Sequence, residues 1–494
     1  MGAAMRPLLP ATDAPARGGR LVPMITGAAL FMELLDSTAV LTALPQMAAD
    51  FGEPAVRMNL VVSLYLLAVA LFVPVSGWVA DRFGPRRVLL AAIGLFMLAS
   101  LACAASTSLL QLSLARLAQG AAGALMAPVG QVLLLRWSTP DTLLRNMAAL
   151  AIPALVGPLL GPPLGGLLVD LLSWHWIFLV NLPIGALGIV LILRFVPDFP
   201  GDPQRRLDRR GFLLSGCALA ALVFGFEALG HRLLPLPAVA ALLAAGACAA
   251  LAYWRHARRH AAPLIDLGLL RIPTFATAIR GGNLFRLGSA AQPFLMVLML
   301  QLGFGHGALD AGLLTLAGGA GALSVKFLSV RIVQRLGFRR TLVGNALLCA
   351  LSIVGCALLR ADTPWWLLVA LLYLSGLLRS LQFSTLGALT FCEVPRELAS
   401  RASSLSAMSM QLAMSLSVGL AASLLALVMH GHGHLQPQVE DLSLAMLAGA
   451  LLCAVSALPF GRLGESAGAS VSGRARPARA TATPPLHPKE TSHG

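Results

Sequence analysis

Long apolar runs alternate with short polar breaks along nearly the whole 494-residue chain. A helix crossing a hydrocarbon core about 30 Å thick needs roughly 20 apolar residues. Runs of that order lie near 23–44, 60–80, 88–106, 112–135, 147–169, 176–195, 211–230, 236–254, 275–300, 309–330, 341–359, 365–390, 403–429 and 442–460. The pattern predicts an all-α polytopic membrane protein with fourteen transmembrane helices. Residues 1–20 and 462–494, rich in Ala, Pro, Gly and Arg, are expected to be disordered tails.

Composition excludes a soluble globular protein, with 57% hydrophobic residues, 12% charged and a mean hydropathy of +0.80. The net charge of +15 would suit nucleic acid, but its placement argues against that partner. Alternate loops carry twenty arginines on one side of the expected membrane and three (Arg57, Arg232, Arg360) on the other. That asymmetry is the positive-inside signal; with an even number of spans it puts both termini in the cytoplasm. The first segment is too long and too acidic for a cleaved signal peptide and is expected to stay as a helix. All seven cysteines fall within or at the ends of spans, without CxxC or metal spacing, and imply no redox role.

The loops are too short for a nucleotide-binding domain, and no GxxxxGK[ST] motif is present to cradle ATP phosphates. No cofactor is expected, so uphill movement would draw on an ion gradient. An internal repeat fits that view. GWVADRFGPRR (Gly77 to Arg87) aligns with VRIVQRLGFRR (Val330 to Arg340) at an offset of 253 residues, with Asp81 replaced by Gln334. Parallel repeats are a transporter device, because two similar bundles can rock about a site held between them.

Several further motifs occur in order. They are LDSTAVLTALPQMAADFG (Leu35 to Gly52), LARLAQGAAGALMAPVG (Leu114 to Gly130), VGPLLGPPLGGLL (Val156 to Leu168), SWHWIFLVNLPIG (Ser173 to Gly185), LDRRGFLLSG (Leu207 to Gly216) and PLIDLGLLRIPTF (Pro263 to Phe275). With these the chain resembles the major facilitator superfamily, in particular its fourteen-span drug:proton antiporter group (EmrB/QacA-like). The run Phe285 to Gly305 and Lys326 point to the MdtD/HsrA-like branch. The resemblance implies a 6 + 2 + 6 arrangement: a bundle at 21–196, a linker with two extra helices at 197–274 and a second bundle at 275–461. It also implies gating by Gly77, Asp81, Arg82, Gly84, Arg86 and Arg87, and an antiporter helix marked by Gly157, Pro158, Gly161, Gly165 and Gly166. Gly157, Gly161 and Gly165, four apart, make one smooth face for another backbone; ordinary helix packing is the alternative to sealing the cavity. Asp81 is expected to accept hydrogen bonds from amides at a neighbouring helix start.

Ionisable side chains at mid-bilayer cost at least ~2.5 kcal/mol on insertion scales and mark function by default. Glu33 and Asp36, at i and i+3, share a helix face about 5–6 Å apart and should titrate as a pair. The resemblance places Arg116 opposite them. The triplet then carries charge −1, or 0 after one proton binds, which suits exchange of a proton for a substrate that is cationic. Lys326 stands out because the only other lysine, Lys489, lies in the tail; it binds a proton or substrate, or snorkels to the interface. Gln119, Asn283, Arg286, Gln292, Gln301, Arg379 and Gln382 are further candidates, with Lys326, for a cavity wall. HGHGH (His430 to His434) lies in an external loop without a supporting acid in sequence, and no metal is expected there.

The reading is a proton-driven exporter of amphipathic small molecules in a bacterial inner membrane. It needs lipid, substrate and protons as partners, no nucleic acid, and works as a monomer, with a periplasmic adaptor as a candidate partner. The rivals are a transporter of one metabolite or siderophore, and a membrane-embedded enzyme; no nucleophile, base or ligand constellation supports the enzyme.

Overall fold

The computed structural model describes residues 21–464 except 54, 231–233, 261–262, 307 and 435, together with 467–468. The expected tails therefore lie almost wholly outside the described residues. Those described form helices and no strand. In chain order they are α1 Leu21–Phe51, α2 Leu60–Phe83, α3 Pro85–Ala104, α4 Leu109–Trp137, α5 Pro140–Leu171, α6 His175–Phe195, α7 Arg209–Gly230 and α8 Leu236–Arg259. Then come α9 Pro273–Gly303, α10 Ala308–Ser324, α11 Lys326–Ala357, α12 Trp365–Phe391, α13 Ala399–His432 and α14 Val439–Gly461.

Thirteen described helices are long and apolar enough to cross a membrane. The run expected near 309–330 is where the count differs from fourteen. α10 has 17 residues, about 26 Å at 1.5 Å per residue, and its three glycines between 318 and 321 weaken it. The apolar run resumes in α11, which bends at Gly337 (φ 78°, ψ 166°) and holds the eleventh expected run beyond the bend.

Local chemistry sets several boundaries. Gly84 (φ 88°) ends α2 and Pro85 opens α3, because the left-handed backbone favours glycine and proline lacks the N–H that a first turn leaves unpaired. At α5, Thr139 and Thr142 cap each other reciprocally. Helices α1–α6 pack chiefly on one another, as do α9–α14, except that α13 leans more on α7, α2 and α4 than on its own group. Helix α7 lies against both α2 and α13, while α8 packs outside α7 with most of its surface exposed.

The hydrogen bonds joining the two six-helix groups gather at the arginine-rich end. Gly77 N–H donates to Ser404 Oγ (2.8 Å), Arg396 to the Ser138 carbonyl (3.0 Å) and Ser403 to the Pro128 carbonyl (2.9 Å). Beside them Leu134, Leu135, Leu143, Leu144 and Met147 join the apolar core of the second group. The two groups are thus closed on each other at that end.

Candidate functional site

Asp36, on the middle of α1, and Arg116, on α4, are each only 1% exposed. Arg116 Nη1 donates to Asp36 Oδ2 at 2.5 Å. The other carboxylate oxygen accepts from Gln119 Nε2 (3.0 Å) and from Asn181 Nδ2 (2.7 Å) on α6. Ser100 on α3 accepts from both amides, at 2.8 and 3.2 Å. The guanidinium also reaches Gln119 Oε1 (2.6 Å) and lies over the Tyr65 ring, 4.3 Å from its centroid. Every neighbour of the Asp36 oxygens donates, which suits an ionised carboxylate, an acceptor only. Four helices therefore close one polar node inside an apolar bundle. Breaking a buried pair of this kind by removing one partner costs ~3–5 kcal/mol, because the other charge stays buried.

Glu33, one turn before Asp36, is half-buried and makes no hydrogen bond or ion pair among the described residues. Gly123 on α4 opens space for it: a methyl there would meet the Tyr65 hydroxyl at 3.1 Å and the Glu33 Cγ at 3.6 Å. The Tyr65 hydroxyl is buried without a partner among the described residues. The expected triplet is thus brought together as a tight pair, Asp36 and Arg116, with Glu33 beside it. Ser100, Asn181 and Tyr65 were not legible as members, since neutral side chains in apolar helices carry no sequence signal of burial at a charge.

At the arginine-rich end Asp81 is 4% exposed. Its carboxylate accepts from Arg136 (2.8 Å) and from the Ser400 hydroxyl, and faces Arg205 as an ion pair. The expected amide donors are replaced by side chains; the helix start is there, but Ser400 offers its hydroxyl. Gly77 lies directly on the Ser400 carbonyl, where a side chain would clash. Gly84 makes the turn, and the 199–202 segment lies on it, with Asp202 N–H on the Asp81 carbonyl (2.7 Å). Arg86 donates to the Leu193 carbonyl (2.6 Å) and Arg87 pairs with Asp198 (3.0 Å). These two hold the end of α6 rather than the opposite bundle, and Arg82 makes no hydrogen bond among the described residues. The linker is anchored again at Asp208, which meets the Gly211 amide (2.8 Å), His256 (2.9 Å) and the Leu264 amide (3.3 Å). Burial alone would raise its carboxyl; these donors hold it below the usual carboxylate range.

On α5, Gly157, Gly161 and Gly165 face α1, and a methyl at Gly157 would stand 2.9 Å from the Phe31 carbonyl oxygen. At Gly161 it would strike Thr38 Oγ1. Gly166 has open space around it and Pro158 is exposed, so these two motif residues lie off the face made by Gly157, Gly161 and Gly165. Among the expected wall residues, Gln119 belongs to the Asp36 node. Gln292 bonds Ser375 (2.8 Å), and Gln382 accepts from Asn345 (2.8 Å); both amides are buried between helices of the second bundle. Asn283 donates to Ser409 on α13 (2.6 Å), and Gln301 sits in the widened turn Met299–Gly303. Lys326 is 6% exposed and bonds the Ser384 hydroxyl, so it does not reach the interface.

The HGHGH stretch does have an acid partner. Buried Asp441, at the start of α14, accepts from His432 (2.6 Å) and His434 (2.8 Å) while capping its own helix through the Gln438 amide. Folding supplies this carboxylate from outside the motif.

Membrane-crossing helices in two similar groups, closed on each other at one end, with a buried acid–arginine node inside the first, are the architecture of a transporter rather than an enzyme. Residues 26–418 match the Major Facilitator Superfamily, and the chain belongs to that family. Its relatives include the putative multidrug resistance protein MdtD of Pectobacterium atrosepticum, 41% identical over 383 residues, covering 77% of this chain and 82% of the relative. MdtD of Klebsiella pneumoniae is 40% identical over 404 residues, covering 81% and 84%. These relatives fit the MdtD-like branch. Among solved structures, the human organic anion transporter MFSD10 superposes with a TM-score of 0.64 at 17% identity, covering 90% of this chain and 99% of that one. A bacterial homologue of ferroportin in an outward-facing state gives 0.58 at 16% identity, covering 90% and 100%. At such identities the likeness is one of fold.

Proposed function

We propose that this multi-pass transporter exports amphipathic small molecules in exchange for protons by alternating access, from a bacterial inner membrane with both termini in the cytoplasm. The division into bundles at 21–196 and 275–461 around the linker 197–274 is part of the same reading. The observation that carries it is the Asp36–Arg116 pair, an ionisable contact sealed among four helices with a second carboxylate, Glu33, beside it.

Ionised, Asp36 holds Arg116 and the node is closed. A proton arriving by way of Glu33 neutralises Asp36, frees the guanidinium toward Gln119 and Tyr65, and loosens α1 against α4. Because α1 also lies on the glycine face of α5, a change at Asp36 is transmitted to two neighbours of the bundle. The Asp81 latch then opens at the other stage of the cycle. MdtD-named relatives are the support for drugs as substrates.

The test is a proteoliposome assay with an imposed pH gradient. Asp36→Asn is expected to reduce gradient-driven transport by at least ~100-fold, the scale on which a positioned proton-transfer group acts. A folded Asp36→Asn protein that still concentrates substrate would refute the proton step.

A further inference from the structure

The buried charge of the two bundles has opposite sign. In the first bundle Arg116 is matched by Asp36, with Glu33 in excess. In the second, three cations lie inside the bundle: Arg286 on α9, Lys326 at the start of α11 and Arg379 on α12. The carboxylates of that bundle, Asp310, Asp362, Glu393, Glu397, Glu440 and Asp441, all stand at helix ends or in turns.

All three cations border the stretch of α12 from Arg379 to Ser384. The Arg286 guanidinium lies 5.7 Å from the centroid of the Phe383 ring. Arg379 is four residues before Phe383, hence on the same helix face. Lys326 bonds Ser384, the next residue. Neither the Arg286 nor the Arg379 guanidinium makes a hydrogen bond or ion pair among the described residues. The titratable groups around Arg379 are the thiols of Cys349, Cys356 and Cys453. A guanidinium in the membrane is costly even on the lenient insertion scales, and an aromatic face returns only part of that cost. A retained cost of this kind points to a missing counter-charge.

We propose that Arg286, Arg379 and Lys326 form the binding pole for the anionic group of an amphipathic substrate, a carboxylate, sulfonate or phosphate, with the Phe383 ring and its partner Phe285 under the apolar part. The two rings meet edge to face at 5.8 Å. The proposal deepens the transport reading and rests on it for the word substrate. It replaces the cationic preference drawn from the sequence with an anionic one, since the second bundle offers forked donors suited to a carboxylate. An anion leaving an inside-negative cell moves down the membrane potential. The exit stroke is then helped by the potential, and the proton at Asp36 acts on the return of the empty carrier.

The test uses the full chain in nanodiscs and three probes with one fluorophore: dansylglycine (anionic), dansylamide (neutral) and dansylcadaverine (cationic). Dansylglycine is expected to bind about tenfold more tightly than either of the others. Arg286→Gln and Arg379→Gln should each weaken it about tenfold and leave dansylamide unchanged, which also shows that the variants are folded. Lys326→Gln should have a smaller effect, and Arg286→Lys should restore part of the loss. Wild-type protein that prefers dansylcadaverine, shows no preference or fails to bind dansylglycine overturns the proposal. So does an equal loss of all three probes in the Gln variants. Discs of phosphatidylcholine and of phosphatidylglycerol separate substrate from lipid: equal affinity supports a substrate site, and loss in phosphatidylglycerol assigns the pole to a headgroup and overturns it. Asp36→Asn keeps the readings apart, since dansylglycine preference should survive in it whether or not pH-driven transport does.

Discussion

Gly84 and Gly337 stand 253 residues apart and turn the chain in nearly the same way, with φ of 88° and 78°. Gly120 on α4 and Gly376 on α12 are each pressed onto a carbonyl, of Tyr65 and of Gly318, and those two carbonyls are again 253 apart. Cys103 and Cys356, at the same spacing, touch Gln119 (3.7 Å) and Gln292 (3.8 Å). The backbone scaffold of the two bundles therefore repeats. Their polar centres do not. Around Gln119 lie an ionised pair and two polar side chains, Ser100 and Asn181; around Gln292 lie a serine hydroxyl and a thiol. The loops differ in the same sense: Asp81 is buried in a latch, and Gln334 is exposed. A close backbone contact tolerates only glycine and persists in both copies. A polar centre is set by one charged residue, and changing it recasts its neighbours.

The comparison can be broken most directly at the centres. Asp36→Leu should destabilise the protein by ~3–5 kcal/mol, leaving Arg116 unpaired, whereas Gln292→Leu strands only a neutral hydroxyl, at ~1–3 kcal/mol. Thermal unfolding followed by tryptophan fluorescence measures both, and equal losses would show the centres to be equivalent. The scaffold predicts the opposite outcome. Gly120→Ala and Gly376→Ala should each cost ~1–3 kcal/mol, similar to one another; a large difference would mean that the backbone match is only apparent. The smallest effect is expected at the latch. With Cys217 and Cys248 replaced by Ser, labelling of a cysteine introduced at Ser403 should speed about tenfold in Asp81→Ala, an equilibrium shift of ~1.4 kcal/mol, and change less than about twofold in Gln334→Ala.

The fold was legible because hydrocarbon admits few alternatives. Apolar runs located the helices, and the repeat at Gly84 and Gly337 located the two turns. The fourteenth span is not confirmed at 309–330 because hydropathy does not register a helix stop inside an apolar run, here at Val325. Asp36, Arg116 and Asp81 could be found from sequence, being charges where charge is costly. Arg136, Arg205, Ser400 and Ser404 could not, since a basic or small residue near a membrane face is ordinary and only packing turns it into a latch. The glutamines read differently at the two levels: as polar groups in apolar helices they suggested a cavity wall, and in the structure Gln292 and Gln382 bond partners inside the second bundle.

Helix α7 has a consequence for how a hydrophobic compound reaches the interior. Gly216 lets it lie against α2, so close that a methyl there would stand 2.8 Å from the Leu71 carbonyl oxygen. Gly419 lets α13 approach the Phe226 carbonyl of α7 in the same way, at 3.0 Å. The seam between α2 and α13 is thereby roofed from the surrounding lipid, and α8 adds a second layer outside it. The opposite seam, where Leu159 of α5 meets Gly319 of α10, has no such cover among the described residues. The two seams are therefore unequal: one is double-roofed, and at the other α5 and the short, glycine-rich α10 of the two groups meet the bilayer side by side.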